Sequence, residues 1–262
     1  MKFSELKSNA LNTIQPHKEA LYKGAGVVLL GWFLFLIAAL ILQNKGMKDA
    51  ADNVTSLRGL LLYPIILANI AMVARIYQGE TVQASDALKN YSSLTRFGKA
   101  LWAYILPTLY IFLWILPIII FMVIFPRTDI GLLISSDEIV TKCTFAILVI
   151  LLFRIIIGKS LQYGLNAYIL GDNPNMSVNE SIALSKELTK GYLIKFFLLS
   201  LSFIGWALLI LPTLGLILIW LIPYYNATVY EFYNHLKREN AEENKNVSDN
   251  ESVSTDETTD AE

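Results

Sequence analysis

Cysteine is nearly absent. Cys143 is the single one in 262 residues, so no intrachain disulfide can form and no cysteine-based metal motif exists. Histidine is almost as scarce: His17 and His235, the only two, both stand outside the long apolar runs. That leaves no zinc-binding pair one helical turn apart and no serine–histidine arrangement. No Asp or Glu falls inside any of the hydrophobic runs, where proton-coupled transporters and intramembrane aspartyl proteases usually need a carboxylate. Gly158-Lys159-Ser160 ends like a phosphate-binding loop, but Phe153 stands where that motif requires its first glycine. Charge itself is thin, at 16% of residues against about 25% in soluble domains. These absences argue against an enzyme, an ion-driven pump, a metal centre and a bound cofactor. No nucleic-acid partner is expected.

What the chain has in quantity is apolar sequence. Such residues make up 55% of it, and the mean hydropathy is +0.49. The run from Phe196 to Tyr230 holds thirty-five residues without a charge. One bilayer crossing needs only about 20 apolar residues, so this run reads as two helices joined by a turn at Leu211-Pro212-Thr213. Further uncharged runs lie between Lys23 and Lys45, Arg58 and Arg75, and Lys99 and Arg127. A long helix is expected from Val140 to Leu170 despite Arg154 and Lys159. The fold class predicted is therefore all-α, a polytopic membrane helix bundle with six transmembrane helices. The spans fall at about 24–44, 57–77, 100–125, 140–170, 192–211 and 213–233, within a membrane domain covering 24–236. Pro107 and Pro117 should bend the third helix without ending it, because neighbouring helices satisfy the freed backbone groups.

Lysine and arginine set the orientation. Residues 1–23, 75–99, 154–195 and the chain after Tyr233 carry sixteen of them; the alternate stretches, 45–58 and 127–142, carry five. Both termini are thus expected in the cytoplasm, with residues 1–23 as a short cytoplasmic segment. Residues 237–262 form an acidic tail, nine acids against one base from 239 onward, and without aromatic residues. Such a composition buries too little apolar surface to offset ordering entropy, and disorder is expected. Two cytoplasmic loops look alike, Gly79-Glu80 through Ser85-Asp86-Ala87-Leu88 and Gly171-Asp172 through Asn179-Glu180-Ser181-Ile182. In the second, Ser177 and Glu180 fit a capping box. The helix it starts lies either along the membrane surface through Ile182, Leu184 and Leu188 or in an ordinary connector.

Few polar residues reach membrane depth. At 100° per residue, Arg154, Lys159, Gln162 and Asn166 fall within about 140° of one another on one side of the fourth helix, and Asn69 on the second could join them. Two readings stand. One is a cytoplasm-open cavity holding an anionic group such as a lipid phosphate; in the other, Arg154 and Lys159 snorkel to the headgroups while Gln162 and Asn166 lie outside the bilayer.

The C-terminal third carries a distinctive order of residues. Ser185-Lys186, Leu188-Thr189-Lys190-Gly191 and Lys195-Phe196-Phe197-Leu198-Leu199 precede Leu201-Ser202-Phe203-Ile204-Gly205-Trp206. Leu214-Gly215-Leu216, Trp220, Pro223-Tyr224, Thr228 and Glu231-Phe232-Tyr233 follow. This order closely resembles a family of multi-pass bacterial membrane proteins, domain of unknown function 975. The resemblance implies six helices in the cytoplasmic membrane and no catalytic residues. It makes Lys190 and Lys195 inner-surface anchors, Gly191 and Gly205 points of close approach or helix ends, and Pro223 a bend. Ser202, Trp206, Tyr224, Phe232 and Tyr233 are expected to be structural. The expectation taken forward is a non-enzymatic envelope protein of the bacterial cytoplasmic membrane. Its partners would be the lipid bilayer and anionic lipid headgroups or another membrane protein; the alternative is a permease or lipid-translocating protein with a cavity near Arg154.

Overall fold

The computed structural model describes residues 2–124 and 138–256. Among them every regular element is helical, as the sequence predicts. In chain order these are α1 (Phe3–Ile14), α2 (Lys18–Asn44), α3 (Lys48–Tyr77), α4 (Leu94–Ile124), α5 (Glu138–Tyr163), α6 (Asn166–Asp172), α7 (Val178–Leu188), α8 (Leu193–Leu201), α9 (Ile204–Ala207) and α10 (Leu218–Asp256). Short 3-10 stretches occupy Gln15–His17, Ala84–Tyr91 and Leu208–Ile210.

Among the described residues, five helical stretches are long and apolar enough to cross a membrane: Phe3–Asn44, Lys48–Tyr77, Leu94–Ile124, Lys142–Asp172 and Leu193–Ile210. The sixth expected span, 213–233, falls on a turn through 211–217 and the first turns of α10. Uncharged sequence lasts only from Leu218 to Tyr230 in that helix before Glu231, so its apolar part is short. Other boundaries differ from expectation for local reasons. The second helix begins at Lys48, not near 57, because no residue in Lys48-Asp49-Ala50-Ala51-Asp52 breaks a helix. The fourth is interrupted at Gly164-Leu165 and the fifth at Ser202-Phe203. The third is a single helix containing both Pro107 and Pro117; its expected end at residue 125 lies outside the described residues.

The N-terminal segment is a helix, not a loose leader. α1 buries Leu6, Ala10 and Ile14, one residue per turn along one face, and packs against α10. At the other end, α10 continues as helix to Asp256 through most of the segment expected to be disordered. Its first turns there are held from outside the helix: Lys237 Nζ lies 2.8 Å from Asp172 Oδ2 and Asn240 Nδ2 3.3 Å from Glu187 Oε1. Residues 257–262 lie outside the described residues.

The core sits toward one end of the bundle. Fully buried Leu21, Met72, Leu165, Ile169, Ile182, Leu199, Tyr230, Phe232, Tyr233 and Leu236 come from α2, α3, the break before α6, and α6, α7, α8 and α10. Toward the other end, large side chains such as Leu30, Phe33, Leu40, Leu113, Trp114, Phe145 and Ile150 are exposed. A lipid-facing surface explains them; in water such patches would be unusual. Inside a bilayer, association relies on close packing and hydrogen bonds because lipid is as apolar as leucine. α2 and α3 show this. A Cβ on Gly24 would clash with Asn69 Oδ1, and one on Gly31 would stand 2.7 Å from Leu62 Cδ2.

Candidate functional site

The loop-rich end of the bundle holds most of the described polar contacts. α3 ends there at Tyr77, and Gly79 in the left-handed region (φ +81°) lets Glu80 N–H reach back to Arg75 O at 2.9 Å. The reversal brings Glu80 beside the Arg75 guanidinium: Arg75 Nε is 2.7 Å from Glu80 Oε2, and Nη1 is 3.0 Å from Asp86 Oδ2. Gln83 and Asp86 form a capping box at the start of the 3-10 stretch. Burial alone would push the Asp86 carboxyl up. The Gln83 N–H and the Arg75 guanidinium outweigh it and hold that carboxyl below its usual range.

The other look-alike loop uses the same device. Ser177 Oγ accepts from Glu180 N–H and Glu180 Oε2 accepts from Ser177 N–H, so the expected capping box forms and starts α7. This helix is a packed connector: Ile182 and Leu188 are buried in the core. Ser185, also buried, donates to Gln162 O at 2.8 Å and accepts from Leu165 N–H at 3.2 Å. One hydroxyl thus satisfies both sides of the break between α5 and α6. Gly171 then lets α6 lie against α3, since a Cβ there would be 3.2 Å from Ala71 Cα.

Asp172, at the end of α6, gathers four donors from distant parts of the chain, besides its neighbour Asn173. Tyr230 Oη is 2.7 Å from Oδ1, Gln78 Nε2 is 2.9 Å from Oδ1, Tyr233 Oη is 3.1 Å from Oδ2 and Lys237 Nζ is 2.8 Å from Oδ2. One carboxylate therefore joins α3, α6 and α10. Beside it opens a cavity of about 470 Å³ between α3, the 3-10 stretch, the start of α4 and the loop after α6. Its floor is apolar, with Leu67, Met72, Ala100 and Leu170; its rim carries Arg75, Lys89, Arg96 and Lys99 with Asp86. Lys99 Nζ donates to Pro174 O at 2.6 Å and Met176 O at 2.5 Å, fixing the far wall.

Of the five residues expected to line a cavity, the described contacts bring together Lys159 and Gln162. Arg154 is exposed on α5. Lys159 Nζ bonds Gln162 Oε1 at 3.0 Å and stands 3.8 Å from the centre of the Trp114 ring. Asn166, buried, donates to Ala103 O of α4 at 3.3 Å. Asn69, also buried, donates to Ile65 O of its own helix at 2.9 Å and presses on Gly24 of α2. Helical periodicity placed four of them on one side of a continuous helix, and the break at Gly164-Leu165 separates Asn166 from the rest. Asn69 and Asn166 act as packing joints.

The motif residues mostly hold architecture. Gly191 (φ +81°) follows the end of α7 and turns the chain into α8. Lys190 is exposed; Lys195, also exposed, has its Nζ 4.6 Å from the Tyr192 ring. Ser202 ends α8 at the interruption, where its carbonyl accepts from Lys7 Nζ at 3.3 Å. Gly205 stands at the start of the short α9, and among the described residues nothing lies within 4 Å of a Cβ built there. Trp206 packs at a tilt against Trp220, which packs on Tyr224. Pro223 is inside α10, and Phe232 stacks on Phe196 at 5.2 Å. Asp172 and the Arg75–Lys89–Arg96–Lys99 rim escaped the sequence reading as a site. The available signal was the four bases in one loop, counted there for orientation only.

A family model described as "Protein of unknown function (DUF975)" matches residues 1–240. No curated protein and no solved structure matches the chain.

Proposed function

We propose that this chain, which belongs to the DUF975 family, is a non-enzymatic integral membrane protein of the bacterial cytoplasmic membrane that works through lipid or protein contacts at the cytoplasmic face. The observation that carries this reading is the basic rim of the cavity beside Arg75, at the end where α3 finishes and α4 begins. The buried polar side chains favour it too. Asn69, Asn166, Ser181, Ser185, Thr189, Asn226 and Thr228 each have a protein hydrogen-bond partner, which suits a scaffold better than a substrate path through the bundle.

In this reading α10 is the sixth crossing and both termini face the cytoplasm. Two things support the arrangement: sixteen of the twenty-one basic residues lie in segments assigned to that side, and Asp172 ties residues 230–237 of α10 to the end of α3. Basic residues near an anionic leaflet contribute roughly 1 kcal/mol each, enough to select lipid without any chemistry. The test is the lipid retained by protein purified in mild detergent, with crosslinking in intact cells alongside. Anionic phospholipid should be enriched over its share of the whole membrane. Retained lipid of bulk composition, together with no crosslinked partner, would overturn the proposal.

A further inference from the structure

The geometry points to the cavity bounded by Arg75, Lys89, Arg96 and Lys99 as a binding site for a phosphate oxyanion, with Lys89 and Arg96 as its direct contacts. The inference rests on the lipid-contact reading and names the place where that contact is made. The four cations do not stand on an equal footing. Arg75 is already matched by Glu80 and Asp86, and Lys99 spends two donors on the carbonyls of Pro174 and Met176. Those two fix the walls. Lys89 and Arg96 are exposed at the mouth, and Arg96 keeps its fork oriented through Nη1 on Ser92 Oγ at 3.1 Å. A guanidinium held in this way suits the oxygens of a phosphate group.

The rest of the cavity fits an amphipathic ligand. About 470 Å³ is within the range of small-ligand pockets, and the floor of Leu67, Met72, Ala100 and Leu170 continues the apolar faces of α3, α4 and α6. A headgroup phosphate at the mouth would leave its glycerol and first acyl carbons against that floor. The carboxylate at the rim, Asp86, forms its ion pair with Arg75 at 3.0 Å, and the Lys89 charge also acts on it. A free phosphate offers the same oxygens to Lys89 and Arg96 but nothing to the floor.

The experiment uses the full chain in detergent, following thermal unfolding and native mass spectra with three probes: dioctanoyl phosphatidylglycerol, dioctanoyl phosphatidylcholine and inorganic phosphate. Phosphatidylglycerol should raise the unfolding temperature and remain bound in the spectra, and the effect should weaken as salt rises. The double variant Lys89→Gln/Arg96→Gln should bind about thirtyfold more weakly, from two charges near an anionic headgroup, while Lys89→Arg should retain binding. If inorganic phosphate matches phosphatidylglycerol, the site stands and its source is the soluble anion. If phosphatidylcholine matches it, or if binding survives unchanged in the Gln/Gln variant, the site is wrong. In that last case, anionic lipid still enriched with the purified variant would leave the broader lipid reading standing.

Discussion

At the scale of single residues, the strongest demand in the described structure falls on Asp172. Its carboxylate is nearly buried, at 9% exposure, and accepts from two tyrosines, a glutamine and a lysine. Removing it strands Tyr230 and Tyr233, whose side chains are fully buried. Asp172→Ala should therefore destabilise the protein by about 2–4 kcal/mol, and Asp172→Asn by less, since one acceptor oxygen remains. Thermal unfolding in detergent reads the difference, and an alanine variant that melts with the wild type would remove Asp172 from its role as a joint. In the sequence this residue is one acid among twenty-two. Nothing in Gly171-Asp172 announces that partners 94 positions before it and 58, 61 and 65 positions after it converge there. Asn69 and Asn166 teach the same lesson from the other side. Their polarity at membrane depth was visible; their partners, Ile65 O and Ala103 O, were not.

At the scale of elements, helices were legible wherever a long uncharged run met a charge or a glycine. α2 and α4 follow such runs closely, and the capping box at Ser177 and Glu180 was readable from its spacing alone. Interruptions were harder. Gly164-Leu165 sits in apolar sequence that supports a continuous helix, and the break exists because Ser185 on another helix supplies both the donor and the acceptor that the broken ladder needs. Ser185→Ala should consequently cost about 1–3 kcal/mol through a stranded N–H and C=O. Hydrogen exchange should show faster exchange at Leu165 than at Ile182, in the middle of α7. An unchanged exchange pattern in that variant would mean that the break sustains itself.

At the scale of the whole molecule, orientation is the question with the sharpest experimental answer. With both ends in the cytoplasm, a tag at residue 2 and one after residue 245 should both be shielded from a membrane-impermeant reagent in intact cells. A cysteine introduced at Leu214 in a Cys143→Ser background should be labelled. Labelling of either terminus, or protection of position 214, would remove the six-crossing arrangement and with it the inner-face placement of the basic cavity. The sequence by itself determined that this chain is a bundle of apolar helices and where most of them begin and end, because hydrophobicity and chain breakers act locally. Tertiary structure alone decided which polar groups meet. It placed Arg75, Lys89, Arg96 and Lys99 around one cavity, because a hydrogen bond or a shared rim depends on distances between elements that linear spacing does not encode.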